Sequence, residues 1–273
     1  MQILRVKNLK TYFNSPHGLV KAVDNVNFEL VRGETLGIIG ESGAGKSVTA
    51  LSIMGLSREI GAVHYSGEVW FDGANLFETP NLYKHIRGKR IGFIPQEAGN
   101  ALNPVLTVGC QLSEMISVHL GWDRQKSRQR AAELLEMVEL EDYARVLSLC
   151  PFQLSGGMLQ RVLLAMTLSC EPDLIIADEP ASALDVIIQS QILNLIKNIT
   201  KDRGMAMVLI AHDLGVISRY SDRVMVMRNG RTIETGATNQ VLKSPAEPYT
   251  KSLLENYCSG QWVAPCRTRG NFS

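Results

Sequence analysis

The 273-residue sequence predicts an α/β protein built on a phosphate-binding strand-loop-helix, with a strand-rich start and a helical insertion. Three observations carry that prediction. Leu36, Ile38 and Ile39 read as a short buried strand, and Gly40-Glu41-Ser42-Gly43-Ala44-Gly45-Lys46-Ser47 follows it in the pattern G-x-x-x-x-G-K-[ST]. The next residues, VTALSIMGL, place apolar groups at helical spacing. Downstream, Leu174-Ile175-Ile176-Ala177-Asp178-Glu179 is a compact apolar strand ending in two carboxylates.

The other elements follow in chain order. Residues 3–9 alternate loosely and residues 26–30 alternate cleanly, as half-exposed strands do. The stretch between them, TYFNSPHGLVKAV, carries Asn-Ser-Pro and His-Gly punctuation and reads as a loop. Residues 67–73 and 90–95 are further strands, the second leading to Gln96. From about Thr107 to Ala144 the pattern is helical, with Leu134, Leu135 and Val138 on one face and acids opposite. Ser155 is suited to cap the apolar helix VLLAMTLSC, and Gly156-Gly157 would break any longer helix there. A helix over 186–199, a strand ending at His212, and a strand over 222–228 come last. Asn229-Gly230 turns that strand back as a hairpin.

Bulk properties narrow the class. The net charge of +1 carries no polyelectrolyte signal, so no nucleic-acid partner is expected. No run of 18 apolar residues appears, and MQILRVKNLKTYF lacks the continuous apolar segment of a signal peptide, so a cytosolic protein is expected. The five cysteines are scattered and odd in number, as reduced thiols are.

A glycine loop lets backbone N–H groups and a helix N-terminus close around a phosphate. Lys46 has the reach for terminal phosphates and Ser47 the hydroxyl for Mg²⁺. Asp178 ends a buried strand whose core gives no other reason for an acid, which suits a metal carboxylate; Glu179 beside it points elsewhere and is placed to polarise a water. Gln96 and His212 also stand at strand ends, within plausible reach of the metal, the water or a phosphate, although an exposed loop glutamine and a surface histidine are the blander readings. Tyr12 or Phe13 suits stacking on a base, but an aromatic in a first strand is usually core.

Leu154-Ser155-Gly156-Gly157-Met158-Leu159-Gln160 resembles the LSGGQ signature, with Met158 where the common form has Gln. GESGAGKS resembles a Walker A motif, LIIADE a Walker B motif and Ser182-Ala183-Leu184-Asp185 a D-loop. On these motifs, over essentially residues 1–250, the chain resembles the nucleotide-binding subunit of an ABC transporter. The resemblance implies a P-loop NTPase fold of the ABC ATPase type, with an N-terminal antiparallel β subdomain. Residues 1–250 would form the ATP-binding domain, about 97–168 its helical subdomain, and 251–273 a short tail. ATP and Mg²⁺ are the implied cofactors. Gly40 to Ser47 and Val48 would cradle the phosphates, Tyr12 would stack on adenine, and Ser47, Gln96 and Asp178 would hold the metal. Glu179, His212 and Gln96 would act in hydrolysis. Ser155, Gly156 and Gly157 would close on ATP held by an opposite subunit, paralogous or identical. Two membrane-spanning permease subunits and, indirectly, an extracytoplasmic solute-binding protein complete the implied assembly, at the cytoplasmic face of the cell membrane.

Cargo is read from subfamily resemblance. Residues 93–97 and 101–109 resemble a stretch of importers for dipeptides, oligopeptides and nickel, although Glu97 replaces the usual Asp and Cys110 a common Glu. Residues 245–254 resemble their HPYT..LL segment. Residues 150–161 and 169–172 look most like nickel-importer ATPases. Peptide-importer members often carry a longer cysteine-rich extension for an iron–sulfur cluster; Cys258 and Cys266 supply too few thiolates, so no cluster is expected. The expected function is therefore ATP hydrolysis for import of nickel or a metal chelate. A dipeptide or oligopeptide importer is the alternative. A DNA-repair or ribosome-associated ABC ATPase is the alternative class, disfavoured because neither a long coiled-coil insertion nor tandem cassettes are seen.

Overall fold

The computed structural model describes residues 1–259. Strands β1 (Gln2–Ser15) and β2 (Gly18–Val31) pair antiparallel across a turn at Pro16-His17. The loop expected over residues 11–23 is thus mostly strand. Of the Asn-Ser-Pro and His-Gly punctuation, only Pro16 and His17 form the turn; Asn14, Ser15 and Gly18 stay extended with the flanking residues because they pair, from Thr11↔Val23 to Ser15↔Gly18.

Strand β3 (Thr35–Ile39) is buried at every residue, and α1 (Lys46–Ile53) follows the glycine loop. Strands β4 (His64–Phe71) and β5 (Ala74–Asn75) complete a four-stranded antiparallel sheet in the order β2-β1-β4-β5. A short helix α2 (Tyr83–Ile86) precedes β6 (Ile91–Ile94). Four helices then follow without a strand: α3 (Ala98–Ala101), α4 (Val108–Leu120), α5 (Arg124–Met137) and α6 (Tyr143–Val146). Helix α7 (Gly156–Leu168) leads to β7 (Leu174–Asp178), then α8 (Val186–Asp202), β8 (Ala206–Ile210), α9 (Leu214–Tyr220) and β9 (Arg223–Arg228). Strand β10 (Arg231–Ala237) and helices α10 (Thr238–Lys243) and α11 (Pro248–Ser259) end the described chain.

The second sheet runs β10-β9-β3-β8-β7-β6 and is parallel except for β10. That strand returns through Asn229 (φ 48°) and Gly230 (φ 77°), as a two-residue hairpin requires. Alternation splits the buried residues between two cores. Leu174, Ile176, Val208 and Met225 face the antiparallel sheet and α1, whereas Ile175, Ala177, Leu209 and Val224 face the helices. Both faces of the parallel sheet are covered, so its strands are short apolar runs.

The helical insertion has its own logic. Leu112 and Ile116 of α4 and Ala131, Leu134 and Leu135 of α5 are fully buried and share a core with Val162 of α7. Thr107 and Asp123 cap α4 and α5 by accepting from Cys110 N and Lys126 N. The glycine loop, Gln96, Asp178 and His212 all fall at or just beyond the C-terminal ends of neighbouring parallel strands, where open α/β sheets bind ligands.

Candidate nucleotide-binding site

The glycine loop is shaped by backbone that no other residue could supply. Gly40 (φ 154°) would put a Cβ 2.3 Å from Met227 O, and Gly45 (φ 100°) one 2.1 Å from Ala22 O. The loop therefore lies directly on the backbones of β9 and β2. Gly45 caps α1 without a side-chain hydrogen bond, leaving the first amides of the helix for an anion. Glu41, Ser42 and Gly43 form the exposed tip; Ala44 is buried and Val48 packs on the core. Lys46 is buried, and its ammonium donates to Gly40 O (2.8 Å) and Glu41 O (3.1 Å). Burial pushes its pKa down, against the pull of Glu179 and Asp178.

Asp178 is the last residue of β7 and is buried; Ser47 Oγ donates to its Oδ1 at 3.1 Å. Burial raises the Asp178 pKa, Ser47 opposes the rise and the Glu179 charge adds to it. Mg²⁺ asks for few protein ligands when phosphates and waters supply the rest, and one carboxylate beside one hydroxyl fits that demand. The cradle without room for side chains, the buried ammonium and this pair together suit a magnesium-bound polyphosphate.

Glu179 leaves the strand with φ 50°, so its side chain diverges from that of Asp178 through a left-handed residue rather than by simple strand alternation. Its Oε2 accepts from Gln96 Nε2 at 3.2 Å and lies 3.2 Å from His212 Nδ1. Gln96, Glu179 and His212 thus form one constellation, and Ser47 with Asp178 a second. Among the described residues Gln96 makes no hydrogen bond to Ser47 or Asp178; its amide is engaged by Glu179.

Tyr12 sits half-buried on β1, with its hydroxyl donating to Asp24 Oδ1 (2.7 Å) and its ring stacked on His64 at 4.9 Å. Arg231 grips the same Asp24 through Nη2 (2.6 Å) and Nε (3.0 Å). The hydrogen bond to Asp24 raises the Tyr12 phenol. Asp24 and Arg231 escaped sequence reading, because 207 positions separate the pair and no local spacing signals it.

Ser155 caps α7, its Oγ accepting from Met158 N. Gly156 and Gly157 pack beside Leu184 and Ile188, within about 3 Å of where a Cβ would stand. A groove of about 250 Å³ joins this helix start to Gln96, Asn100 and Leu184. Among the described residues no hydrogen bond ties Ser155, Gly156 or Gly157 to Lys46, Ser47 or Asp178.

Residues 23–182 match the ABC transporter family, a span that holds the glycine loop, Gln96, the Ser155-Gly156-Gly157 turn and both carboxylates. The chain belongs to the ABC transporter family. It is an ATPase whose cofactors are ATP and Mg²⁺. The oligopeptide transport ATP-binding protein AppD of Bacillus subtilis is 44% identical, over 92% of this chain and 77% of its own length. A putative peptide import ATP-binding protein of Brucella melitensis is also 44% identical, over 92% and 76%. The glutathione import ATP-binding protein GsiA of Escherichia coli O157:H7 is 43% identical over 92% of this chain, which spans 41% of that protein. In structure, the dimeric post-hydrolysis state of the ATP-binding cassette MJ0796 bound to ADP and Pi superposes with a TM-score of 0.75. It is 28% identical and covers 86% of this chain and 99% of its own.

These relatives overturn the nickel expectation, both as subfamily and as cargo. The physical reason lies in where its signals sit. Residues 150–161 and 169–172 approach, form and follow α7, a helix of the ATPase fold itself, so likeness there follows the ATPase rather than its cargo. The other signal was the tail. The side chain of Cys258, all of Cys266 and the cluster expectation lie outside the described residues. No helix among the described residues is long and apolar enough to cross a membrane.

Proposed function

We propose that this ABC ATPase energises an importer of oligopeptides or small peptides such as glutathione. The observation that carries the cargo is the 44% identity, across nearly the whole chain, to ATP-binding proteins named for oligopeptide and peptide transport. Magnesium-bound ATP supplies the transferable phosphoryl group and neutralises charge on its own phosphates. The chain's residues divide the remaining work. Lys46, the amides of Gly43 to Val48 and the start of α1 bind phosphate, while Ser47 and Asp178 offer the metal a hydroxyl and a carboxylate. Glu179 Oε2 takes the proton of the hydrolytic water, with Gln96 Nε2 and His212 Nδ1, each 3.2 Å away, holding that oxygen in place. Tyr12 offers its ring to the base.

Ser155, Gly156 and Gly157 serve the ATP of a second ATPase subunit, identical or paralogous; a capped helix start without its own lysine is an anion site awaiting a cation from elsewhere. The dimeric state of the 28%-identical cassette supports that pairing. In this reading residues 1–250 are the ATP-binding unit, about 97–168 is its helical subdomain, and 251–273 is a tail. The helical subdomain meets two permease subunits at the cytoplasmic face of the membrane, an extracytoplasmic protein delivers cargo to them, and no nucleic acid takes part.

The test is uptake of a labelled tripeptide in cells lacking the chromosomal copy. Uptake restored by the wild-type chain and not by Glu179→Gln is the expected result. Uptake that never depended on the chain would overturn the cargo, and full rescue by Glu179→Gln would overturn the role of the glutamate.

A further inference from the structure

The Arg228–Arg231 turn touches the nucleotide site from three sides, although no motif includes it. Gly230 N donates to Ala44 O of the glycine loop at 2.9 Å, and Asp24 N donates to Gly230 O at 2.7 Å. Arg231 holds Asp24, which holds the Tyr12 hydroxyl. On the far side, the Arg228 guanidinium lies on the Tyr249 ring, 4.5 Å from its centroid. The Tyr249 hydroxyl is buried and has no hydrogen-bond partner among the described residues.

Helix α11 is itself well anchored. Glu234 of β10 accepts from Ala246 N (2.9 Å) and Glu247 N (3.2 Å) just ahead of the helix, and Leu253 is buried in the same core as Val241 of α10. Two turns beyond Tyr249, Tyr257 is half-buried. Burial first, then the charge of Asp213 and the phenol of Tyr249, raise its phenol.

We propose that the Arg228–Arg231 turn, clamped from behind by Tyr249 of α11, is a positioning element for the nucleotide. It holds the loop at Ala44 and holds Tyr12 through Asp24. Tyr249 and Arg228 are positioning residues and touch no substrate. Fixing a phosphate cradle by packing at its shoulders removes loop motions that binding would otherwise have to freeze. The inference rests on the nucleotide reading above.

The test is equilibrium titration of the full chain with Mg·ATP for wild type, Y249A, Y249F, R228A and the Y249A/R228A double variant, each with its nucleotide-free unfolding midpoint. Y249A and R228A should each weaken affinity about fivefold or more, and the double variant no more than the stronger single one, as coupled residues do. Y249F keeps the ring on Arg228 and should recover most of the affinity, with midpoints close to wild type throughout. Unchanged affinity, additive losses, or losses that merely follow a falling midpoint would overturn the proposal. K46A separates the two readings. If K46A loses affinity and Y249A does not, only this inference fails; if wild type binds no nucleotide, the site reading fails. Should Y249A not fold, R228A measured against R228K decides in its place, because lysine keeps the charge but not the planar stack.

Discussion

Glu179 occupies a left-handed backbone state (φ 50°), which costs a non-glycine residue roughly 1–3 kcal/mol. Its neighbours hold it there. Glu179 N donates to Ile210 O at 2.9 Å, and both Ser182 N and Ser182 Oγ donate to Glu179 O at 3.2 Å. The conformation turns one acid toward Ser47 and the other toward Gln96 and His212. Glu179→Gln should therefore slow phosphate release by about 10²–10⁴-fold while Mg·ATP binding persists, since the variant removes only the proposed proton acceptor. Asp178 has the opposite profile. Its folded pKa is raised by burial, so its charge costs stability above that pKa, and the cost fades as pH falls through it. Asp178→Asn should raise the nucleotide-free unfolding midpoint at neutral pH and, in the same protein, weaken Mg²⁺-dependent ATP binding. A lowered midpoint would count against the burial account.

At the scale of elements, the two sheets are riveted by charge as well as by apolar packing. Arg32, just after β2, and Arg90, just before β6, both pair with Asp173 at the start of β7 and with Asp72 at the end of β4. Burial alone would raise the Asp173 carboxyl, but Arg32 and Arg90 together hold it below the usual carboxylate range. That contribution is complete above the unfolded value of about 3.9 and is lost as pH falls through the lower folded value. Asp173→Asn should cost about 1–3 kcal/mol at neutral pH and flatten the acid side of the stability profile, as thermal melts down to about pH 3 would report. An acid limb as steep as that of wild type would remove Asp173 as its source.

For the whole molecule, the proposed function gives one chain two half-sites on separate parts of the fold, a phosphate cradle on β3 and α1 and a capped helix start on α7. A protein built this way should associate when ATP is present and hydrolysis is blocked. Glu179→Gln with Mg·ATP, run by sedimentation with its partner ATPase or with itself, should show a doubled mass. Adding Ser155→Arg should abolish the association by crowding the anion site. Monomers under every nucleotide condition would contradict the shared-site reading.

Much of this was legible in the one-dimensional pattern because the chemistry is local. GESGAGKS, the apolar run into Asp178-Glu179, the Ser155 cap with its two glycines and the Asn229-Gly230 hairpin each depend on neighbours within a few residues, and each lies where spacing placed it. At residues 11–23 local punctuation predicts a long loop, whereas the structure has a two-residue turn, because strand pairing and not propensity extends its arms. The sequence by itself determined the fold class, the nucleotide loop and the two carboxylates. Only the tertiary structure decided how these act together. Gln96 meets Glu179 across 83 positions, His212 meets it across 33, and Arg231 reaches Asp24 across 207. The first two contacts arise because parallel strands bring distant chain ends to one edge of a sheet, and the third because β10 packs against β2 of the other sheet; no short-range pattern encodes which ends will meet.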